Sequence, residues 1–464
     1  MDLSIFDCVS PLDYRYYGDD PKLVEMLGPY VTERAYITSE LEVEAAAVQI
    51  LAKRGACPQA VADEVAAAIL RVTPEEVHAE DARIHHDTRA MVNCLRAEVS
   101  DDAKPYVHLC LTSFDVKDTA LALRFTRATR EAIIPELLKL ERVLIDLARR
   151  EKDTLQMGRT HGQHAVPITF GFAIAQFVSR LGGRIEAIRA AADALPGKLS
   201  GAVGAYNASR LFFEDPLEFE REVLAELGLR PSPASTQIVE AEFVTDYMHA
   251  LVSAFGVLAN LADDMRNLQR TEIAEVGESF GVHQVGSSTM PHKRNPWNFE
   301  NVKSMWKVMV ARMQTVYADQ ISEHQRDLTN SASQRFLPEV VVGLVNSTRR
   351  LQRIMGNLVT DPERMAANFG MTGGLVAAEP AYILLAALGH PDAHEAVRKL
   401  TLEAQATGRP LGELLDEAQD LAPYVANLTA EQRSLLHDPR LYTGIATEKT
   451  EVLCAMWEQR LSMA

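Results

Sequence analysis

Cysteine is scarce in this chain: five residues of 464, at Cys8, Cys57, Cys94, Cys110 and Cys454, an odd number with no Cys-x-x-Cys pair. That scatter argues against a disulfide framework or a thiolate zinc site and fits reduced thiols in the cytosol. Long apolar runs are also missing. The longest weakly polar stretch, Tyr247 to Ala262, contains His249, Ser253 and Asn260 and is flanked by Asp246, Asp263 and Asp264. A membrane span needs about 20 apolar residues, so this reads as a buried helix and no membrane is expected as a partner. The first seven residues, Met1 to Asp7, have neither the basic lead and apolar run of a secretory signal nor the Arg-rich character of a transit peptide, and a cytoplasmic location is expected. No lysine-rich run is present, and 47 Lys plus Arg stand against 64 Asp plus Glu, for a formal net charge of −17. Such a field repels nucleic acid, so none is expected as a partner. A small anionic substrate would need its own cluster of cationic side chains. Strand signals are few, with Gln237 to Val239 among the short exceptions.

What is present is a folded composition, 47% apolar and 24% charged. Between Phe243 and Ile273, Val244, Met248, Leu251, Phe255, Leu258, Ala262, Met265 and Leu268 recur at spacings of four and three. That stripe predicts a long amphipathic helix, either core or subunit seam. The segments 116–148, 170–192, 298–318 and 340–358 predict four more long helices, with Pro135 kinking the first. The fold class expected is mainly α. Three domains are expected: 1–108, N-terminal and helical; 109–360, a central bundle of about five long helices; and 361–464, C-terminal and helical.

Three polar loops gather residue types that a plain bundle has no reason to collect. His108-Leu109-Cys110-Leu111-Thr112-Ser113-Phe114-Asp115 precedes a long helix. Its Thr, Ser and Asp read equally as an ordinary N-cap or as a holder for a substrate carboxylate at a helix N-terminus. Met157 to Pro167 contains His161 between glycines, where an imidazole can meet a ligand and move a proton near neutral pH, or be a plain loop histidine. No carboxylate or cysteine is spaced beside His161 and His164 to complete a metal site, so no metal is expected. Gly277 to Pro296 has glycines at 277, 281 and 286, prolines at 291 and 296, and Ser287-Ser288, Lys293 and Asn295, the pattern of a loop that closes on a ligand.

Gly286-Ser287-Ser288-Thr289-Met290-Pro291-His292-Lys293-Arg294-Asn295-Pro296 closely resembles the signature of the fumarase/aspartase superfamily, whose members eliminate fumarate or a similar product from a succinyl compound. Thr112-Ser113-Phe114-Asp115 and Thr160-His161-Gly162-Gln163 resemble its other two signature regions, in the same order. The segments Ser10 to Tyr16, His86-Asp87, Gly201 to Gly204, Thr236-Gln237 and Gln325 to Ser331 are similar to members that split a succinylated purine nucleotide into AMP and fumarate. Those members also cleave the analogous succinyl-carboxamide ribotide of purine synthesis. Cycloisomerases of the superfamily share the Met-Pro-His-Lys-Arg-Asn-Pro run but typically lack the histidine matched by His161.

The resemblance implies a β-elimination without cofactor. Ser287 would be the base, with Ser288 its nearest competitor, His161 the general acid, and Lys293 the stabiliser of charge on the substrate carboxylate, with His86 and His108 in support. It also implies that Thr112, Ser113, Asn295 and Gln237 hold the succinyl carboxylates. His85 and Asp87 would contact substrate, and Arg15, Tyr16, Arg326, Ser331 and Arg335 would meet the nucleotide, the arginines near phosphate. Family members work as homotetramers whose sites draw on three subunits, and a homotetramer is the expected partner state. Two departures bear on substrate contacts: Asn301 follows Glu300 where relatives often carry a basic residue nearby, and Val239-Glu240-Ala241-Glu242 replaces a common Pro-(Arg/His)-Asp run. The alternatives are another fumarate-releasing lyase, acting on a succinyl amino acid, or a catalytically silent structural relative.

Overall fold

A computed structural model describes residues 7–281, 286–372 and 374–462. The chain is mainly α. Each long helix expected from periodicity is present: Ser113–Ala128 with Ile134–Arg150, Phe170–Ala194, Ala241–Leu268, Trp297–Ala318 and Leu337–Gly356. Pro135 takes effect slightly upstream of its own position. The helix loosens into a π-turn over Thr129–Ile133 and restarts at Ile134, so proline sits in the first turn of the new helix, where its missing N–H costs nothing.

In the 241–268 helix, Met248, Leu251, Phe255, Leu258, Ala262 and Met265 are all buried within the single chain. Of the two readings of the stripe, core or subunit seam, this burial fits core. Among the described residues, no single helix is long and apolar enough to cross a membrane.

Strands are short. β1 (Leu155–Thr160) and β2 (Gln163–Thr169) form an antiparallel hairpin, and β3 (Val276–Gly277) pairs antiparallel with β4 (Val359–Thr360). Two expectations are corrected here. Gln237 to Val239 is bent chain, not strand, and the segment read as a loop around His161 is a hairpin. Proline at 167 and glycines at 158 and 162 disguised its pairing.

The chain divides into two compact units, each drawn from three stretches. The first comprises 1–139, 183–259 and 301–350, and the second comprises 140–182, 260–300 and 351–464. In the first, the Glu33–Lys53 helix buries Ile37, Leu41, Val48 and Leu51 in a core with Val61, Met91, Leu95, Val116 and Phe219. In the second, Ala381, Leu385, Val397, Leu411 and Leu436 form a separate helical core near the C-terminal end.

Candidate active site

In the first unit, the 113–128 helix is closed by its own third residue. The Thr112 N–H donates to the Asp115 carboxylate at 2.8 Å, completing a capping box. Asp115 is fully buried and also accepts from Lys198 Nζ and from the Gly201 N–H at 3.2 Å. The start of the helix is thus rigid, with Thr112 and Ser113 half-buried around it.

The two supporting histidines are held by different means. His108, at φ 64°, is gripped twice by the buried Glu44, through its N–H at 2.9 Å and its ring Nδ1 at 2.6 Å. Burial works to lower the His108 pKa, but Glu44, with Asp115 behind it, outweighs burial and holds the ring above its usual value. His86 caps the Asp87–Ala97 helix, its Nδ1 accepting the Arg89 N–H at 3.2 Å. That bond uses the Nδ1 lone pair, so the neutral ring carries its proton on Nε2. His85, just before it, takes the left-handed region at φ 55°.

Asp87, Ser331 and Arg335 line one cavity of about 710 Å³. Lys117, Arg124 and Tyr36 line it too, and the sequence reading had missed all three. A signal existed: Phe114, Lys117, Leu121 and Arg124 recur at helical spacing from the Thr-Ser motif, which puts them on one face. Lys117 Nζ grips both Asp87 oxygens at 2.7 and 2.6 Å, and Arg335 reaches Asp87 at 3.3 Å and Glu33 at 3.5 Å. Although burial pulls the other way, Lys117 and Arg335 keep the Asp87 carboxyl below its ordinary range. The Tyr36 ring lies against two guanidiniums, Arg124 at 5.0 Å and Arg335 at 5.6 Å from its centroid. Behind them, Glu40 is 2% exposed and pushed up to about 7 by burial, with Lys117 the strongest opposing influence. Three cations, Lys117, Arg124 and Arg335, thus face two carboxylates, Asp87 and Glu33, and the cavity lining keeps an excess of positive charge in a strongly acidic chain.

Arg15, Tyr16, His85, His86, His108, Thr112, Ser113, Gln237 and Arg326 also lie in this unit but do not line that cavity. Arg15 is exposed on a π-turn, Leu12–Tyr17. Tyr16 is tied through its hydroxyl to Asn301 Nδ2 at 3.4 Å and through its carbonyl to Asn346 Nδ2 at 2.8 Å. Asn301, one of the two departures from the resemblance, therefore spends its amide on a candidate substrate residue. At the other departure, the Val239 N–H donates to Asp118, and Glu240 accepts from the Ala234 N–H at 3.0 Å and from the Ser232 hydroxyl.

His161, Ser287, Lys293 and Asn295 belong to the second unit. His161 and Gly162 are the two turn residues of the β1–β2 hairpin, at φ 56° and 74°, with Thr160 paired to Gln163. Two successive positive φ values are the mark of the tight turn that suits the twist of a hairpin. The turn presents the His161 ring to solvent.

The hairpin is pinned from below by Glu275, which is fully buried. Its carboxylate accepts from Gln156 Nε2 at 2.9 Å, from Arg159 Nη1 and Nη2 at 3.2 and 2.5 Å, and from Asn368 Nδ2 at 2.9 Å. In a regular strand, residues 156 and 159 would face opposite sides. Both nevertheless reach one carboxylate, across a register shift between Met157 and Arg159 in which β2 holds the extra residue, Ala165 and Val166 together standing opposite Gly158. Only glycine fits at 158, because a Cβ would lie 2.5 Å from the Val166 carbonyl oxygen.

Glu275 is followed directly by β3 and the Ser287 loop. Residues 282–285 of that loop lie outside the described residues. From Gly286 on, the loop folds on itself: Asn295 Nδ2 donates to the Gly286 carbonyl at 2.9 Å, and a Cβ on Gly286 would strike the Lys293 carbonyl oxygen at 2.3 Å. Ser287 Oγ accepts the Met290 N–H at 3.1 Å and the Thr289 N–H at 3.4 Å. Donors aimed at an oxygen favour its anionic form, as a serine base requires. The loop's base is clamped by Glu278, whose carboxylate accepts from Asn298 N, Asn298 Nδ2 and Phe299 N at 3.0, 2.6 and 3.1 Å.

The chain is similar to known proteins over most of its length. The family described as "Lyase" matches residues 14–310, and that described as "Adenylosuccinate lyase C-terminal" matches residues 322–432. The adenylosuccinate lyase of Pyrococcus abyssi is 36% identical over 96% of each chain. That of Bacillus subtilis is 32% identical over 82% of this chain and 87% of its own. Among solved structures, the 3-carboxy-cis,cis-muconate lactonizing enzyme of Pseudomonas putida superposes with a TM-score of 0.81 at 26% identity, covering 97% of this chain and 99% of its own. The fold of that lactonizing enzyme is thus shared, while sequence identity is higher to the adenylosuccinate lyases. With both family descriptions matched along its length and relatives above 30% identity over nearly the whole chain, this protein belongs to the adenylosuccinate lyase family, within the fumarase/aspartase superfamily.

Proposed function

We propose that this lyase eliminates fumarate from adenylosuccinate, leaving AMP, and from the succinyl-aminoimidazole-carboxamide ribotide, leaving the free carboxamide ribotide. In this scheme the Ser287 oxygen takes a proton from the succinyl carbon beside a carboxylate. The electron pair moves onto that carboxylate, where Lys293 stabilises it, with Asn295, Thr112, Ser113 and Gln237 on the carboxylates. The pair then returns to form the C=C bond as the C–N bond breaks, and His161 protonates the departing nitrogen. His86 and His108 support the network. Arg15, Tyr16, His85, Asp87, Arg326, Ser331 and Arg335 take the nucleotide side. The enzyme needs no cofactor, acts in the cytoplasm, and works as a homotetramer with sites built from several subunits.

The observation that carries this reading is the 36% identity to an adenylosuccinate lyase over 96% of both chains, combined with a Ser287 oxygen already facing two backbone donors. The cation-lined cavity of the first unit supports a phosphate-bearing substrate. The sequence division at 108 and 360 stands as a proposal that limited proteolysis can test.

Ultraviolet monitoring of adenylosuccinate conversion by wild type, Ser287→Ala and His161→Ala tests the reading. Wild type is expected to turn over without added metal, and each variant to lose roughly 10²–10⁴ in kcat. Full activity in both variants would show the roles to be misassigned, and conversion of argininosuccinate in place of the nucleotide would reject the substrate.

A further inference from the structure

Asp118 follows the Thr-Ser motif on the 113–128 helix and is only 8% exposed. Its Oδ2 accepts the Val239 N–H at 2.8 Å. Two residues earlier in that bent segment, the Gln237 N–H donates to the Gln325 carbonyl at 3.2 Å, so the Gln237 loop is joined to the chain just before Arg326. Arg326 forms no ion pair with Asp118 or Asp319 among the described residues, though its charge favours the anionic form of both. Its Nη1 donates to the Asp319 carbonyl at 3.3 Å, while Nη2 is buried without a hydrogen-bond partner. The Arg326 backbone sits at φ 117°, a region that side chains rarely adopt and that surroundings must enforce. Asp118, Asp319, Ile238, Val239, Glu240 and Asn330 line a common cavity of about 580 Å³, which shares Leu121 and Gln334 with the cation-lined one.

An N–H left unsatisfied inside the protein, as at Arg326 Nη2, is costly. Burial raises Asp118 to about 6, with Asp115 acting in the same direction, and the Val239 N–H, Lys198 and Arg326 hold it down. Asp319 and Glu240 are the other acids lining the cavity. The Val239 N–H ties the Gln237 segment directly to the Asp118 carboxylate, and the Gln237–Gln325 backbone bond carries that tie to the chain before Arg326.

We propose that Asp118 is a positioning residue of the substrate site: through the Val239 N–H, and the Gln237–Gln325 bond beyond it, Asp118 fixes the two loops that present Gln237 and Arg326, without touching substrate itself. The inference rests on the reading that Gln237 and Arg326 contact adenylosuccinate.

The test compares D118A, which removes the acceptor of the Val239 N–H, with D118N, which keeps an oxygen for it, assayed on adenylosuccinate and by thermal melting. D118A is expected to raise KM about tenfold with kcat within about threefold, and D118N to stay within about threefold of wild type in both. An unchanged KM in D118A, or a D118N variant as impaired as D118A, overturns the inference. Melting temperatures need no substrate and are expected to fall in D118A and recover in D118N. Equal melting in the two variants overturns the positioning role alone, whereas a wild type inactive on adenylosuccinate strikes the functional reading alone. Should D118A fail to fold, V239P replaces it: by removing the donor it is expected to raise KM to a similar extent, and an unchanged KM in V239P overturns the proposal.

Discussion

His108 and His161 share an uncommon backbone conformation, at φ 64° and 56°, yet one is gripped through its N–H and its ring by a buried carboxylate while the other stands exposed at the tip of a hairpin. The contrast extends to their units. In the first, Asp87, Lys117, Arg335, Tyr36 and Arg124 brace one another around a cavity. In the second, His161 and Ser287 ride on a turn and a loop whose rigidity comes from two buried carboxylates beneath them, Glu275 and Glu278. On the roles proposed above, binding groups are fixed by direct ion pairs, and proton-moving groups by anchors at a distance.

The strongest way to break this comparison is E275Q. Replacing the carboxylate leaves the Arg159 charge without its partner. A loss of about 3–5 kcal/mol in unfolding free energy is expected, with kcat falling alongside it because His161 loses its foundation. Calorimetry beside steady-state kinetics measures both, and a variant that melts normally would show that the hairpin holds itself.

The histidines give the next contrast. H108A strips the buried Glu44 of its ring donor and is expected to cost about 1–3 kcal/mol of stability, whereas H161A should stay within about 0.5 kcal/mol of wild type. Equal melting shifts would erase the distinction drawn here.

Smaller still is K117M, which leaves Asp87 to Arg335 alone. KM for the nucleotide is expected to rise about tenfold, roughly 1.4 kcal/mol, with little change in kcat. A fall confined to kcat would move Lys117 out of the binding role.

Last comes a pH effect in the second unit. Both Glu141 oxygens are buried without hydrogen-bond partners, and burial pushes this carboxyl up to about 9. Because the folded value exceeds the unfolded one of about 4.3, stability is fully present below that pH and declines as pH rises toward 9. Melting temperatures across that range should slope downward for wild type and less steeply for E141Q, and identical slopes would remove Glu141 as the cause.

Much of this architecture could be read from residues alone. Helical periodicity located the long helices to within a few positions because each buries an uninterrupted apolar face, as Met248, Leu251, Phe255 and Leu258 do. The hairpin around His161 escaped, since strands of six and seven residues interrupted by Gly158 and Pro167 carry no alternating pattern. Lys117 and Arg124 went unnoticed for another reason: each looks like a solvated helix charge until tertiary packing brings Tyr36 and Asp87 against it. The buried acids Glu44, Glu275 and Asp118 could not be told from surface acids, because nothing local marks a carboxylate whose partners lie scores of residues away.

The extra residue opposite Gly158 shows how much depends on chain length at a single point. Deleting either Ala165 or Val166 would restore even pairing between the strands and turn the tip side of the hairpin against the rest, even though no charged, acidic or basic group had been removed. The lesion would read in sequence as a trivial shortening, yet the imidazole at the tip would point somewhere else.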